Sequence, residues 1–469
     1  MIEAHWTSVL PPVLAIGLAL VTRQVYLALF AGLWLGVFLL GDAGPIGALA
    51  ESIETAIAVL SSPGDARVVV FTLVIGAFIF TLERSGAVRG FVSFLERSRW
   101  VNNGRRAQCL AFFIGIVIFI ESNITVLVAG TVSRPLFDRF KIAREKLAYI
   151  IDSTSAPICV LIPLNAWGAF NLGLLEGLGV ENALGVLLAS IPMNLYALSA
   201  VGLTAFTIFR NVNLGPMAAA ETRTAEGIVG GVEFAVSEGE QVHEPAGGKV
   251  PSLMPMLLPI LALIAVMPIG LYVTGDGNLF AGSGSKSVLW ASLSGLLVIS
   301  ILVLARGGMS LNRLTQTWME GAGGMLPIAL VLVLALALGG VAKSLGTGVF
   351  MANAMGDSIA VWLMPLVIFW VSGAIAFSVG SSWGTFSIML PIAIPVAAAI
   401  GVDPALFVAA VLSGGIFGDH ASPISDSTVV SSLAAGTEHM DHVRTQMPYC
   451  LLAGGMSSVG FLVLGAMIL

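Results

Sequence analysis

Apolar runs of bilayer length recur from end to end of this chain, at 9–22, 25–41, 68–82, 147–168, 184–209, 255–273, 288–305, 326–342, 405–430 and 447–468. A helix needs roughly 20 apolar residues to cross a hydrocarbon core. Inside that core each backbone N–H and C=O has to be satisfied by the protein itself. The runs therefore dictate an all-α polytopic membrane protein. Composition agrees: 57% of the 469 residues are hydrophobic and 10% are charged, at a mean hydropathy of +0.97, whereas soluble domains are far more polar. The first run opens the series and lacks the character of a cleavable signal peptide. Cys109, Cys159 and Cys450 lie in or beside apolar runs without ligand spacing and read as core thiols. The sequence shows no basic nucleic-acid patch, glycine-rich phosphate loop or zinc spacing. No cofactor, no transition metal and no nucleic-acid partner is expected. It also lacks an HExxH or GxSG run, so it does not read as an enzyme.

Lysine and arginine collect on the cytoplasmic side of a membrane. Arg84, Arg89, Arg97, Arg99, Arg105 and Arg106 form one cluster; Arg134, Arg139, Lys141, Arg144 and Lys146 form the next. The apolar region 107–133 lies between them, and one straight crossing would force a cluster outside. A re-entrant hairpin resolves the conflict. Its arms of about 13 residues, near 20 Å at helical rise, would turn at the run ESNIT, 121–125. Irregular backbone at that depth is tolerated only where it is buried in protein or lines a wet cavity. Each half then holds about five spans plus one hairpin, in opposite orientation. The second hairpin is 361–400, with its tip at SSWGT, 381–385. The predicted layout is a first repeat over 1–210 and a second, inverted repeat over 251–469. Between them, 211–250 carries Glu221, Glu226, Glu233, Glu238, Glu240 and Glu244 against Arg223 and Lys249, and reads as a mobile polar cytoplasmic linker. Both termini are expected outside, with the protein in the plasma (inner) membrane. The run EHMDHVR, 438–444, with His439, Asp441, His442 and Arg444, is expected as a cytoplasmic loop before the last span.

The halves echo one another in order. ERSGAVRGF (83–91) resembles AKSLGTGVF (342–350). Ser122 pairs with Ser382, Thr125 with Thr385 and Pro135 with Pro395. DSTSAPICVLIP (152–163) corresponds to GDHASPISDST (418–428). Pro157 and Pro423 each remove a backbone donor and disfavour helix just before them. Both the span 147–168 and the span 405–430 should therefore be broken helices, with unwound middles facing the hairpin tips. Carbonyls and helix C-termini attract cations there, and helix N-termini attract anionic groups.

An ionisable side chain in a span is expensive, so Asp419 and Asp426 need a reason. Either they cap and pack the break, or they ligate Na⁺ and carry H⁺; a hard cation wants oxygen ligands. Ser425, Ser427, Thr428, Ser122, Asn123 and Ser382 are neutral oxygen donors suited to complete such a site, and each is equally suited to a helix cap. Glu121 is the charged residue of its hairpin: a carboxylate on the ion path, or a cap on the second arm. His420 is a candidate proton carrier or pH sensor, or it fixes the loop. Asp152, with Ser153 and Thr154, sits near the cytoplasmic edge of its span, as a ligand or as a mouth residue. Asn165 ranks lower, and Trp383 could wall a substrate site.

At GDHASPISDSTVVSSLAAGTEHMDHVRTQMPY the chain resembles the NhaC-type sodium/proton antiporter family, within the wider ion-transporter superfamily. The signature falls on Gly418, Asp419, Ser422, Pro423, Ile424, Ser425, Asp426, Ser427 and Thr428. His420 departs from it, standing where antiporter members carry Lys. The resemblance implies a scaffold, an elevator-like transport domain bearing both hairpins, and a homodimer. The expected function is secondary active transport, exporting cytoplasmic Na⁺ or Li⁺ in exchange for external H⁺. The alternative is Na⁺- or H⁺-coupled symport of a small amino acid or carboxylate.

Overall fold

The computed structural model describes residues 5–22, 24–41, 44–87, 90, 101–119, 121–228, 254–278, 282–347, 349–350 and 361–469. Arg89, Arg97, Arg99 and residues 229–250 of the expected linker lie outside them. Among the described residues the chain is helical, with no strand. It opens with α1 (Leu10–Thr22), α2 (Val25–Leu40), α3 (Gly44–Ala58) and α4 (Pro63–Arg84). A hairpin, α5 (Gly104–Val117) and α6 (Ser122–Arg139), follows. Next come α7 (Arg144–Ser153), α8 (Ala156–Leu161) and α9 (Ala166–Gly177), then α10 (Ala183–Ser190), α11 (Leu195–Arg210) and α12 (Pro216–Ala225). The second half runs through α13 (Met254–Thr274), α14 (Gly284–Ala305) and α15 (Leu311–Ser344). The hairpin α16 (Met364–Val379) and α17 (Ser382–Ala399) leads to α18 (Ala405–Ala421), α19 (Asp426–Ala435) and α20 (His439–Ile468).

By length and apolarity, 8 of these segments can each cross a membrane, and up to 11 if each bent pair counts as one span. Local chemistry sets the ends. The Ser62 hydroxyl accepts the Asp65 N–H at the start of α4, with Pro63 in its first turn, and Ser310 caps α15 through the Arg313 N–H. Outward faces of α13 and α20 carry Leu258, Leu261, Ile269, Leu452, Val459 and Val463 exposed, as a lipid-facing helix requires. Packing divides the helices. α4 crosses α15 at Gly76 and Gly321, with α14 packed on α4, α2 on α15, and α13 on α14. The hairpins and broken helices pack mainly on one another and on α11 and α20.

Several expectations need correction. In the first hairpin α5 has 14 residues, close to the expected arm, while α6 has 18 and runs on to Arg139; the arms of the second have 16 and 18. Val361–Val379 and α17 are each long and apolar enough to cross alone. Helix also stops earlier than the expected tips, at Val117 and Val379, and resumes at Ser122 and Ser382. α15 begins well before 326, and α3 has no counterpart among the expected spans. The span 184–209 is bent by 42° between Ala183–Met193 and Leu195–Arg210, where Pro192 sits.

The linker is not wholly unstructured. α12 lies inside it and buries Met217, Ala220 and Thr224 against α7 and α20. Two ion pairs fasten it to α7: Lys146 Nζ with Glu221 Oε1 at 3.7 Å, and Arg223 with Glu145. Burial pushes the Glu221 carboxyl up from its ordinary value, and Lys146 pulls it part of the way back. The Lys146 side chain is only 2% exposed. Removing one partner of a buried pair costs about 3 kcal/mol or more, so Lys146→Ala should lower the unfolding temperature clearly. A thiol-reactive dye that reports exposure of the buried free thiols of Cys159 and Cys450 would read this in detergent. An unchanged midpoint would mean the latch contributes nothing.

Candidate functional site

The second broken helix is arranged around its polar residues. α18 stops at Ala421 and α19 starts at Asp426, with a 46° bend between them. Pro423 lies in the gap and offers no donor. The Ser422 hydroxyl donates to Phe377 O at 2.7 Å, which ties the break to α16. The hairpin tip comes to the same place. Gly380 adopts φ +70°, and a Cβ there would meet Ile424 O at 2.6 Å, so both the turn and the close approach require glycine. Asp419 Oδ2 then accepts the Ser382 N–H at 3.2 Å and the Ser382 hydroxyl at 2.6 Å. A carboxylate thus caps the N-terminus of α17, where the helix dipole favours negative charge.

The other oxygen, Asp419 Oδ1, is buried and makes no hydrogen bond. The Ser425 hydroxyl lies near the Asp419 carboxyl. Ser425 and Ser427 face each other at 3.1 Å, both buried. Thr428 Oγ1 and Asn123 Oδ1 are also buried oxygens without partners, and α6, which carries Asn123, packs on α19. Asp426 opens α19 and accepts the Ser427 N–H at 2.8 Å. Its side chain is solvent-exposed. Asp419, Asp426 and Asp152 are close enough to repel one another.

The first half repeats this chemistry. Thr125 and Thr385 each donate to the carbonyl four residues back, Glu121 O at 2.8 Å and Ser381 O at 2.9 Å. The Ser155 N–H donates to Asp152 O at 3.1 Å, and the Ser422 N–H to Asp419 O at 3.0 Å. Asp152 and Asp419 each lie near the C-terminal end of a helix, α7 and α18. Glu121 accepts the Ser122 hydroxyl at 3.2 Å. Thr154 is occupied otherwise: its hydroxyl bonds Ile150 O at 2.8 Å. Asn165 is a brace. Its amide donates to Phe119 O and Cys159 O, both at 2.8 Å, and its oxygen accepts the Gly168 N–H at 3.0 Å.

The run EHMDHVR is no loop: His439 to Arg444 are the first turns of α20. His442 is 0% exposed and Asp152 1%. Gln446 joins them, donating to Asp152 Oδ2 at 2.8 Å and to His420 O at 2.7 Å while its oxygen faces His442 Nε2 at 2.8 Å. His420 Nε2 and His442 Nε2 each stand 3.9 Å from Asp152 Oδ2. His420 is held on its other faces by the Tyr196 hydroxyl at 2.9 Å and the Ser153 hydroxyl at 3.2 Å. Gln446 and Tyr196 escape the sequence reading, which puts His442 on a loop. The i, i+4 spacing of His442 and Gln446 on one helical face is the available signal. At the second tip, Trp383 packs on Trp167 and Phe170, each at 4.8 Å between ring centroids.

Helices of spanning length, two of them broken beside hairpin tips around buried carboxylates, define a secondary transporter. Similarity to known proteins narrows the assignment. The chain belongs to the Na⁺/H⁺ antiporter family, which it matches over residues 158–466. It is 31% identical to an uncharacterized protein of Haemophilus influenzae over 98% of this chain and 90% of that one. It is 26% identical to the arginine/ornithine antiporter ArcD of Halobacterium salinarum, over 47% of this chain and 43% of that one. The crystal structure of the Alcanivorax borkumensis YdaH transporter shares the fold, with a TM-score of 0.50 at 15% identity over 90% of this chain and 89% of that one.

Proposed function

We propose that the protein exchanges cytoplasmic Na⁺ for external H⁺, with Asp419 and Asp426 as the alternating carriers of cation and proton. The observation that carries this reading is the Asp419 carboxylate: buried, bound through one oxygen to the hairpin tip, and unpartnered at the other. An unsatisfied buried carboxylate oxygen is costly, and a bound Na⁺ or a proton relieves it. Ser425, Ser427 and Thr428 supply neutral oxygens at the same break, with Ser122, Asn123, Glu121 and Ser382 at the tips. The hairpin-bearing helices are the moving part, the α4–α15 crossing belongs to the scaffold, and the two halves act as an inverted repeat. The working unit is a homodimer in the inner membrane with both termini outside.

Asp426→Asn tests this in proteoliposomes. The expected result is loss of the Na⁺-driven pH change, and full activity would remove Asp426 from the mechanism. The second reading, coupled transport of a small amino acid or carboxylate, is favoured by the aromatic wall of Trp383, Trp167 and Phe170 beside the tip, and by the similarity to an arginine/ornithine antiporter. Uptake of radiolabelled amino and carboxylic acids with and without a Na⁺ gradient separates the two. Pure ion exchange moves no organic solute.

A further inference from the structure

The base of the first hairpin concentrates positive charge. Asn103 caps α5, its side-chain oxygen accepting the Arg106 N–H at 2.9 Å. Arg105 and Arg106 follow in the first turn, and both are exposed. A helix dipole disfavours cations at that end, so the two arginines do not serve α5 itself. The other arm ends at the same place. A Cβ on Gly104 would lie 3.1 Å from Ile142 Cδ1 and 3.6 Å from Phe140 Cβ, which sets the start of α5 against the end of α6. There Arg139 and Lys141 are exposed as well. The Arg139 guanidinium lies over the Phe140 ring, 5.5 Å from its centroid. The neighbouring acid, Asp138, is already taken: Arg144 donates to both of its oxygens at 2.9 Å. Among the described residues, Arg105, Arg139 and Lys141 have no carboxylate partner.

An apolar stripe runs up from this charge. Phe113 and Val117 follow Arg106 at i+7 and i+11, two and three helical turns on, and therefore lie on its side of α5. They stand about 10 and 16 Å further along the helix axis, and they are 49% and 52% exposed. Cations below and exposed apolar side chains above match the two parts of a phospholipid, whereas a soluble anion would use the cations alone. Basic residues gather on the cytoplasmic side, where the leaflet carries anionic lipids. We propose that the base of the first hairpin binds an anionic phospholipid, its phosphate among Arg105, Arg106, Arg139 and Lys141 and an acyl chain along Phe113 and Val117. The guanidinium fork suits a phosphate. Four clustered cations repel the ammonium of a zwitterionic headgroup and select a net negative one. The lipid sits at the opposite end of the hairpin from Glu121, Ser122 and Asn123, so it anchors the arms that carry that tip. It requires nothing of the solute the protein moves.

Phe113→Trp places a fluorophore beside the proposed acyl chain without touching the cations. The full chain is reconstituted in phosphatidylcholine vesicles in which a minor fraction of the lipid carries brominated, quenching chains. That fraction is either phosphatidylglycerol or phosphatidylcholine. The fluorescence added by Phe113→Trp should be quenched much more strongly by the brominated phosphatidylglycerol. Raised salt should shrink the difference. Each basic residue near an anionic surface contributes roughly fivefold, so Arg105→Gln with Arg139→Gln in the same chain should cut the preference by roughly twentyfold. Both arginines are exposed, so the paired substitution leaves the packing intact. Leu261→Trp, on the exposed face of α13, serves as the control and should be quenched equally by the two lipids. Equal quenching at Phe113→Trp would overturn the site. So would the same preference at Leu261→Trp, or a preference that survives loss of Arg105 and Arg139.

Discussion

Asparagine in place of Asp419 is expected to leave the protein folded and to stop Na⁺-driven proton movement. The amide oxygen of the introduced side chain can still accept the Ser382 N–H and hydroxyl, so the cap on α17 survives. What disappears is the charge, and with it the unpartnered oxygen, replaced by an NH₂ that neither binds a cation nor releases a proton. Charged contacts of this kind contribute up to about 3 kcal/mol, roughly a hundredfold in rate. Asp419→Ala removes the cap as well and should add about 1 kcal/mol of destabilisation. The pair of variants separates two roles for the same side chain. If Asp419→Asn transports normally while Asp419→Ala fails, Asp419 is only a cap and the exchange reading loses its anchor.

Gly418→Val should give the largest loss of folded protein. α18 lies so close to α16 that a Cβ on Gly418 would collide with Gly373 O, and one on Gly414 would collide with Phe369 O. The obstacle is backbone carbonyl, which cannot swing aside as a side chain can. Overpacking in a tight core costs about 3 kcal/mol at its upper range, and a two-carbonyl helix contact leaves little room to relax. Gly455, in α20, has nothing within 4 Å of the position a Cβ would take. Gly455→Ala should therefore stabilise by about 0.5 kcal/mol, through the better helix propensity of alanine. Size-exclusion yield and dye-monitored unfolding would read both. A well-folded Gly418→Val protein would mean that the α16–α18 contact is looser than described.

The spans were legible because hydropathy follows directly from the need to stay inside lipid. Both broken helices were legible through Pro157 and Pro423, since a missing donor acts locally. Other features depend on partners remote in sequence. α12 reads as polar linker because its apolar run Met217–Ala220 is only four residues long and gives way to Glu221, Thr222, Arg223 and Thr224, and only α7 and α20 make Met217 and Ala220 buried. The start of α20 reads as a loop because His439, Asp441, His442 and Arg444 depress the hydropathy that marks a span. Buried His442 stands 3.9 Å from Asp152, whose side chain arrives from the other half of the chain. Asn165 stands out by its amide and is wholly consumed in bracing a turn. Thr125 and Thr385 each bond the carbonyl four residues back, as helical threonines commonly do.

The grip of Asp419 on the tip is chemically adjustable. A charged carboxylate accepts hydrogen bonds about twice as strongly as a neutral acid. Placing a hydrogen on Oδ1 therefore slackens the hold of Oδ2 on Ser382, and restoring the charge tightens it. The helical turn at 380–382 is in effect a clasp whose tension reports what its own keeper has picked up.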